Sequence, residues 1–345
     1  MNRKFLYDLL ETHSISGYEY PLQKLVIKQM EKIADRVITD HVGNVIGICN
    51  PEAPFRIMLA AHADEIGLTI SQILSDGRCL LEEVGSITPG VYVGQRVQII
   101  TKKQIIYGAI AKNRQSFDRK VEVKDLVLDL GVSTQEEAEK LVEIGDLVLH
   151  DATYRVINEN ILCARALDDK IGVYAITEAM RRAKEKKVKN GVYCASTVGE
   201  ETTKNGALVA ARTINPHMAI VVDVGSDTSV SPNLKNGNLN RLNGGPILAT
   251  GTTMNKKLEA FIRERACKLG IALQNETVVY RSYTDADAIH TINLGVPTTL
   301  ISIPLRNMHS SAELVDMRDV EKVIRLIEDI ILEIDENFNF NPYEG

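Results

Sequence analysis

Ile57-Met58-Leu59-Ala60-Ala61 is an unbroken apolar run, and it stops at His62-Ala63-Asp64. A strand with one wet face alternates apolar and polar residues. A run without alternation suits a strand covered on both faces, as in a parallel or mixed sheet sandwiched by helices. The pattern returns: Val192 to Thr197 leads into Glu200-Glu201, Met218 to Val222 into Asp223, and Thr298 to Ile303 is followed a few residues later by His309. Between these runs, helical periodicity spans about Asp169 to Lys186, Gly206 to Arg212, Lys256 to Leu269 and Val320 to Ile334. Strand and helix in alternation define an α/β class, a mixed sheet flanked by helices.

The amino end fits the same plan. Phe5, Leu9 and Leu10 form a short helical face, a longer helix spans about Glu19 to Ala34, and strands are expected at Arg36 to Thr39 and Val45 to Ile48. From about Leu68 to Leu162 the character changes to short β-like stretches, among them Arg96 to Ile100, Ile105 to Ile110, Leu126 to Leu130 and Asp146 to Leu149. One helix interrupts them, announced by the capping-box pattern Ser133-Thr134-Gln135-Glu136. With 345 residues the chain has room for two domains. We expect a β-rich domain, residues 68–162, inserted into an α/β domain made of residues 1–67 and 163–345.

Composition excludes several functions. The net charge of −6, scattered Lys and Arg, and the absence of Trp leave no footprint for a phosphate backbone, so nucleic acid is not an expected partner. No apolar run approaches the roughly 20 residues that span a bilayer, and acidic residues interrupt the amino end before a signal-like apolar region forms. A cytoplasmic location is the expectation. Cys49, Cys79, Cys163, Cys194 and Cys267 are odd in number, widely spaced and without C-x-x-C pairing, and are expected as reduced core residues.

In open α/β sheets the carboxyl ends of the strands line the ligand crevice. His62 with Asp64, Glu200 with Glu201, Asp223 and His309 would therefore meet in one place, joined by Asp168-Asp169 at a helix start. Taken singly, each has a plain structural explanation: a strand-end His bonding a nearby acid, or adjacent acids in solvent. Their shared setting separates them from that. So many carboxylates in one dry crevice require cations. Mixed His and carboxylate ligation suits zinc or a similar first-row ion, and a two-metal site needs one bridging acid with about two terminal ligands on each side. His13, His41, His150, His217 and His290 have no acid partner at a comparable strand end and are expected in turns or on helix surfaces.

The segments Ala61-His62-Ala63-Asp64-Glu65-Ile66-Gly67, Gly94-Gln95-Arg96-Val97, Arg165-Ala166-Leu167-Asp168-Asp169-Lys170 and Thr197-Val198-Gly199-Glu200-Glu201 resemble the M42 metallopeptidases, the glutamyl and tetrahedral aminopeptidases. Asp223-Val224, Thr284-Asp285-Ala286, Gly295-Val296-Pro297-Thr298 and His309-Ser310-Ser311-Ala312-Glu313 continue the resemblance in order across almost the whole chain. It implies a dimetal exopeptidase fold. His62 and Asp223 would be terminal ligands of one divalent metal, Glu201 and His309 of the other, and Asp168 the bridge. Zinc is the first expectation for both metals, with cobalt or manganese as alternatives. Asp64 would orient His62, and Glu200 would be the general base that activates water against the bond following a free amino-terminal residue. The inserted domain would be a dimerisation domain, and dimers would assemble into a tetrahedral dodecamer.

Three departures stand out. Thr202-Thr203-Lys204-Asn205-Gly206 replaces the family's Val-Gly-Leu-Arg-Gly, Tyr280-Arg281-Ser282-Tyr283 replaces a glycine-rich stretch, and Lys170 replaces Arg. Bulky residues in place of glycine reshape a pocket, so they bear on substrate preference. Two rivals use the same fold: a dimetal deacylase or amidase of N-acyl amino acids, and a catalytically silent scaffold. A glycosidase would need carboxylates flanking a sugar bond and gives the histidines no purpose.

Overall fold

The computed structural model describes residues 2–112, 120–230 and 239–343. At its centre the strands Gly191–Thr197, Arg56–His62, Met218–Ser226 and Thr298–Arg306 lie side by side in that order and run parallel. All of Gly191–Thr197 is buried, as is Arg56–His62 beyond its first residue. The missing alternation in the sequence has this cause, because both faces of the sheet are covered. Ile57, Leu59 and Ala61 point into one core with Arg3–Glu11, Tyr20–Ile33, Leu167–Glu185, Lys256–Lys268 and Met317–Glu333. Met58 and Ala60 point into the other, beneath Asn205–Ile214 and Ala286–Ile289.

Antiparallel strands widen the sheet to eleven. Val45–Cys49 and Arg36–Thr39 add on one side, and Glu313–Asp316, Ile161–Ala164 and Arg155–Val156 on the other. Ile247–Gly251 pairs with Thr298–Arg306 and carries Gln274–Val278. Six further antiparallel strands, Gly67–Ile73, Cys79–Val84, Leu126–Asp129, Ile105–Lys112, Arg96–Ile100 and Leu147–His150, close into a small barrel in that spatial order. Leu68, Ile70, Leu81, Ile99, Leu128 and Val148 fill it. The fold is thus a mixed sheet flanked by helices with an inserted β-barrel.

The structure corrects several local readings. His150 lies in neither a turn nor a helix surface; it ends a barrel strand, buried, with its ring stacked 4.0 Å from that of Tyr92. All five cysteines are free, but Cys267 is exposed on a helix and Cys163 half-buried, so not all are core residues. The helix in the insert spans Gln135–Glu139, and its cap is Thr134 with Glu137, one residue later than Ser133 with Glu136. Met218–Ser226 runs past Asp223, because pairing with Thr298–Arg306 continues to Ser226 after the apolar run has ended. Among the described residues no helix is long and apolar enough to cross a membrane.

Gly206 ties one helix to the loop that follows the strand Gly191–Thr197. Asn44 donates to the Gly206 carbonyl at 2.8 Å and accepts from Val198 N–H at 3.0 Å. A Cβ at position 206 would overlap the Val198 carbonyl and stand 2.7 Å from Val198 N. Gly206→Ala is expected to cost about 1–3 kcal/mol, as overpacking against backbone does, and to lower the thermal melting midpoint. An unchanged melt would mean that the helix can retreat from Val198 without loss.

Candidate metal centre

Strand register sets the positions. Thr197 pairs with His62, and Ala60 pairs with Val221, which puts Asp223, two residues on, level with His62. Beyond Arg306 the chain reverses through Asn307 and His309, with φ of 58° and 61°. Asp168 and Asp169 open the buried helix Leu167–Glu185 in non-helical conformations, joined by a cis peptide.

Asp168 stands between the two imidazoles. Its Oδ1 is 3.1 Å from His62 Nε2 and its Oδ2 is 3.2 Å from His309 Nε2. His309 Nε2 also lies 3.4 Å from Glu201 Oε1. His62, Asp168 and Glu201 offer ligand atoms within 4.8 Å of one another, and so do His62, Asp169 and Asp223. The structure therefore brings His62, Asp168, Glu201, Asp223 and His309 together, with Asp169 beside them.

The far nitrogen of each ring is occupied. His62 Nδ1 is 3.1 Å from the Asp64 carbonyl and 3.4 Å from its carboxylate, and His309 Nδ1 is 2.7 Å from the Ser86 carbonyl. Donation from Nδ1 leaves Nε2 as the free ligand atom. The Asp64 carboxylate also accepts from Ser16 Oγ at 2.7 Å and from the N–H groups of Glu200 and Glu201 at 3.0 and 3.1 Å. It thereby fixes the turn that carries both glutamates. Asp169 accepts from His62 N–H at 3.3 Å and Gly172 N–H at 3.1 Å, so both its oxygens hold backbone.

Other residues at the site went unassigned in the sequence. Glu313 accepts from His309 N–H at 2.8 Å and Asp168 N–H at 3.1 Å, locking both sides of the bridge. Asp285 accepts from Thr197 Oγ1. Lys204 Nζ lies 2.8 Å from Glu200 Oε1. Glu313 and Asp285 belong to quoted motif segments and Lys204 to one of the departures from the family pattern, but Ser86 carries no signal beyond its place in the chain. Arg281 is exposed and meets no acid among the described residues.

The electrostatics fit divalent cations. Burial pushes Glu201 up to about 7 and holds Asp223 well above the usual carboxylate range. Burial alone would lower both imidazoles, yet Asp168 with Asp64 holds His62 well above its ordinary value, and Asp168 with Glu201 raises His309 to about 11. Without cations the cluster can balance its charge only by taking up protons. Cations would displace them, so the donor set suits a pair of borderline ions. A cleft of about 970 Å³, lined by His62, Glu200, Glu201, Lys204, Asp223, Glu276, Tyr283 and His309 among others, opens beside the cluster.

A covered α/β sheet that delivers imidazoles and acids around a shared carboxylate, facing an open cleft, is the architecture of a metal-dependent hydrolase. Residues 43–326 match the M42 glutamyl aminopeptidase family, and the chain belongs to that family of metalloaminopeptidases. It is 33% identical over 343 residues to the lysyl aminopeptidase of Pyrococcus furiosus, covering 97% of each chain. The structure resembles a TET aminopeptidase from a marine-sediment Thaumarchaeota archaeon, with a TM-score of 0.91 at 31% identity over 97% of this chain and 96% of that one. It also resembles the TET1 peptidase of Pyrococcus horikoshii, which can assemble into a tetrahedron or a large octahedral shell. There the TM-score is 0.84 at 29% identity, over 96% of this chain and 99% of that one.

Behind the cluster, Tyr92, His150, Arg165 and Glu313 line a smaller recess of about 330 Å³. Both ring nitrogens of His150 lack a partner among the described residues. Burial, with the Arg165 charge second, lowers His150 to about 4. A histidine with a depressed folded value is protonated first in the unfolded chain. Its neutral form therefore keeps full stability above the unfolded value near 6.5, and stability falls as the pH drops toward 4, by about 3 kcal/mol in all. His150→Leu is expected to flatten that part of the profile, measured by urea unfolding at pH 7 and pH 4.5. An unchanged slope would mean that protonated His150 finds a partner.

Proposed function

We propose that the cleft removes the amino-terminal residue from peptides that carry a free amino end. His62 and Asp223 would hold one divalent cation, Glu201 and His309 would hold the other, and Asp168 would lie between them. The observation that carries this reading is the Asp168 carboxylate, which gives one oxygen to each imidazole, 3.1 and 3.2 Å away. Bound there, two cations would polarise the scissile carbonyl and lower the pKa of a water. Mixed His and carboxylate ligation favours zinc, with cobalt or manganese as alternatives.

The chain's own groups do the remaining work. Glu200 is buried at the cleft wall, the position for a base that takes a proton from the attacking water and returns it to the leaving amine. Burial raises its carboxyl, and the Lys204 charge 2.8 Å away works against that, favouring the ionised form a base needs. Asp64 orients His62 and holds the Glu200-Glu201 turn, while Glu313 and Ser86 fix His309. The family's aminopeptidases support a free amino end as the substrate handle. Five free thiols suit a reducing compartment such as the cytoplasm.

The barrel exposes Ile105, Tyr107, Leu141 and Ile144, an apolar set that suits contact between copies of the chain. This supports a dimerisation role for the insert and assembly of dimers into a tetrahedral dodecamer. Mass photometry is expected to find that dodecamer, and a purely monomeric species would overturn the reading of the barrel.

The test of function is hydrolysis of a mixed peptide library, half with free and half with acetylated amino ends, before chelation, after chelation, and with zinc, cobalt or manganese returned. Stepwise loss from free ends alone, abolished by chelator and restored by metal, is the expected result. Glu200→Gln should keep its metal content and lose about 10²–10⁴-fold in kcat. Cleavage of the acetylated half would indicate a deacylase, and full turnover by Glu200→Gln would remove it as the base.

A further inference from the structure

The cleft of about 970 Å³ is lined by His62, Asp168, Asp223 and His309 with Glu200 and Lys204, and also by Glu276, Ser282, Tyr283 and Thr284. Glu276 lies mid-strand in Gln274–Val278, opposite Ala249, on the branch that leaves the main sheet. It has no hydrogen-bonding or ionic partner among the described residues. Burial alone raises its carboxyl, and no neighbouring charge acts on it. Lys204, the one lysine or arginine among the lining residues, is already engaged with Glu200 at 2.8 Å.

The chain also holds an aromatic ring, Tyr283, at the cleft. Asp287 accepts from Ser282 N–H and Ser282 Oγ, each at 2.8 Å, and from Tyr283 N–H at 3.0 Å. This pins the turn with Tyr283 at φ 61°, and its side chain remains 78% exposed. The turn belongs to the segment in which bulky residues replace a glycine-rich stretch.

A half-buried carboxylate without a partner is costly unless a cation reaches it. Cations held at the cluster would not serve, since Glu276 stands outside both ligand groups. The α-amino group of a substrate does not serve either. It lies one carbon from the carbonyl under attack and so must sit against the metal cluster, whose charges leave Glu276 unperturbed. What reaches Glu276, away from the cluster, is the far end of a long amino-terminal side chain.

We propose that Glu276 selects peptides whose amino-terminal residue is Lys or Arg, with the Tyr283 ring lying along the alkyl stem and adding cation–π attraction. The proposal rests on the reading of the cleft as a peptidase site. It assigns Glu276 to binding of the side chain and not to chemistry.

The experiment compares kcat/KM for the 4-nitroanilides of lysine, arginine, norleucine and glutamate, using metal-loaded wild type, Glu276→Gln and Glu276→Lys. Norleucine has the lysine stem without its charge, so the lysyl-to-norleucyl ratio cancels differences in folding or metal content. The wild-type ratio is expected to exceed about 10, to fall toward unity in Glu276→Gln, and to give way to a glutamyl preference in Glu276→Lys. In wild type, raising the salt concentration should increase KM for the lysyl substrate more than for the norleucyl one. A wild-type preference for norleucine or glutamate, or a ratio unchanged in Glu276→Gln, would overturn the assignment. If metal-loaded wild type cleaves none of the four, the peptidase reading itself fails, a result distinct from loss of preference.

Discussion

One carboxylate shared by two imidazoles organises this protein. Asp168 can serve both rings only if His62, His309 and its own backbone arrive from three directions with errors of tenths of an ångström. His62 is placed by parallel pairing with Gly191–Thr197 and Met218–Ser226, where a slip of one residue would turn its ring to the other face. His309 arrives on a reversed turn with positive φ, held by Glu313 and Ser86. Glu313 also binds the Asp168 N–H, so one buried acid fixes the bridge and one of the imidazoles it meets. Burial pushes Glu313 up to about 8, with the nearby Asp168 charge adding to it and the two N–H groups it accepts from working against it.

The inserted barrel completes this arrangement as well as standing beside it. The carbonyl of Ser86, in the loop after the barrel strand Cys79–Val84, sets the tautomer of His309, and Tyr92 and His150 wall the recess behind the cluster. At the junction, Glu65 is buried against Arg165 and Lys170 and also accepts from Ser14 N–H at 2.9 Å. Burial would raise Glu65, but the two cations outweigh it and hold it near 2. Lys170 explains its own departure from the family pattern. Its compact ammonium reaches both Glu65, at 2.8 Å, and the Thr12 carbonyl, at 2.7 Å. A buried ion cluster contributes little net stability, but its directional bonds fix where the strand exit, the first helix and the Asp168 helix meet.

What the sequence revealed follows from which forces are local. Central strands announce themselves because burial on both faces removes polar residues from the run, and acids or imidazoles within a few residues of each run's end mark the crevice. Gln274–Val278 was invisible for the opposite reason: an outlying strand of Gln, Asn, Glu and Thr has no apolar pattern to display. Ser133 and Thr134 both begin an S/T-x-x-E pattern, and only the fold decides that Thr134 caps while Glu137 reaches back to Ser133. His150 lacks an acid at a strand end, which made it look peripheral, yet its setting comes from Tyr92 nearly sixty residues away. Ser86 acts through its backbone carbonyl, a group every residue has, so no pattern of side chains could have pointed to it.

Charge balance in the cleft links the departures from the family pattern to chemistry. A general base must be ionised when water arrives, yet the wall that excludes bulk water also favours its neutral acid. Lys204, in a left-handed conformation at φ 57°, brings a cation to Glu200 from within the Thr202–Gly206 stretch. That pair is local to the turn, so an ionised Glu200, the proposed base, would not depend wholly on cations at the cluster. It also withdraws Lys204 from the substrate, since an ammonium engaged with one carboxylate is a poor host for a second. Of the two charged side chains that departed or unassigned segments bring to the cleft, the cation is committed to Glu200. The unpaired anion, Glu276, is left to set the polarity of the cleft around it.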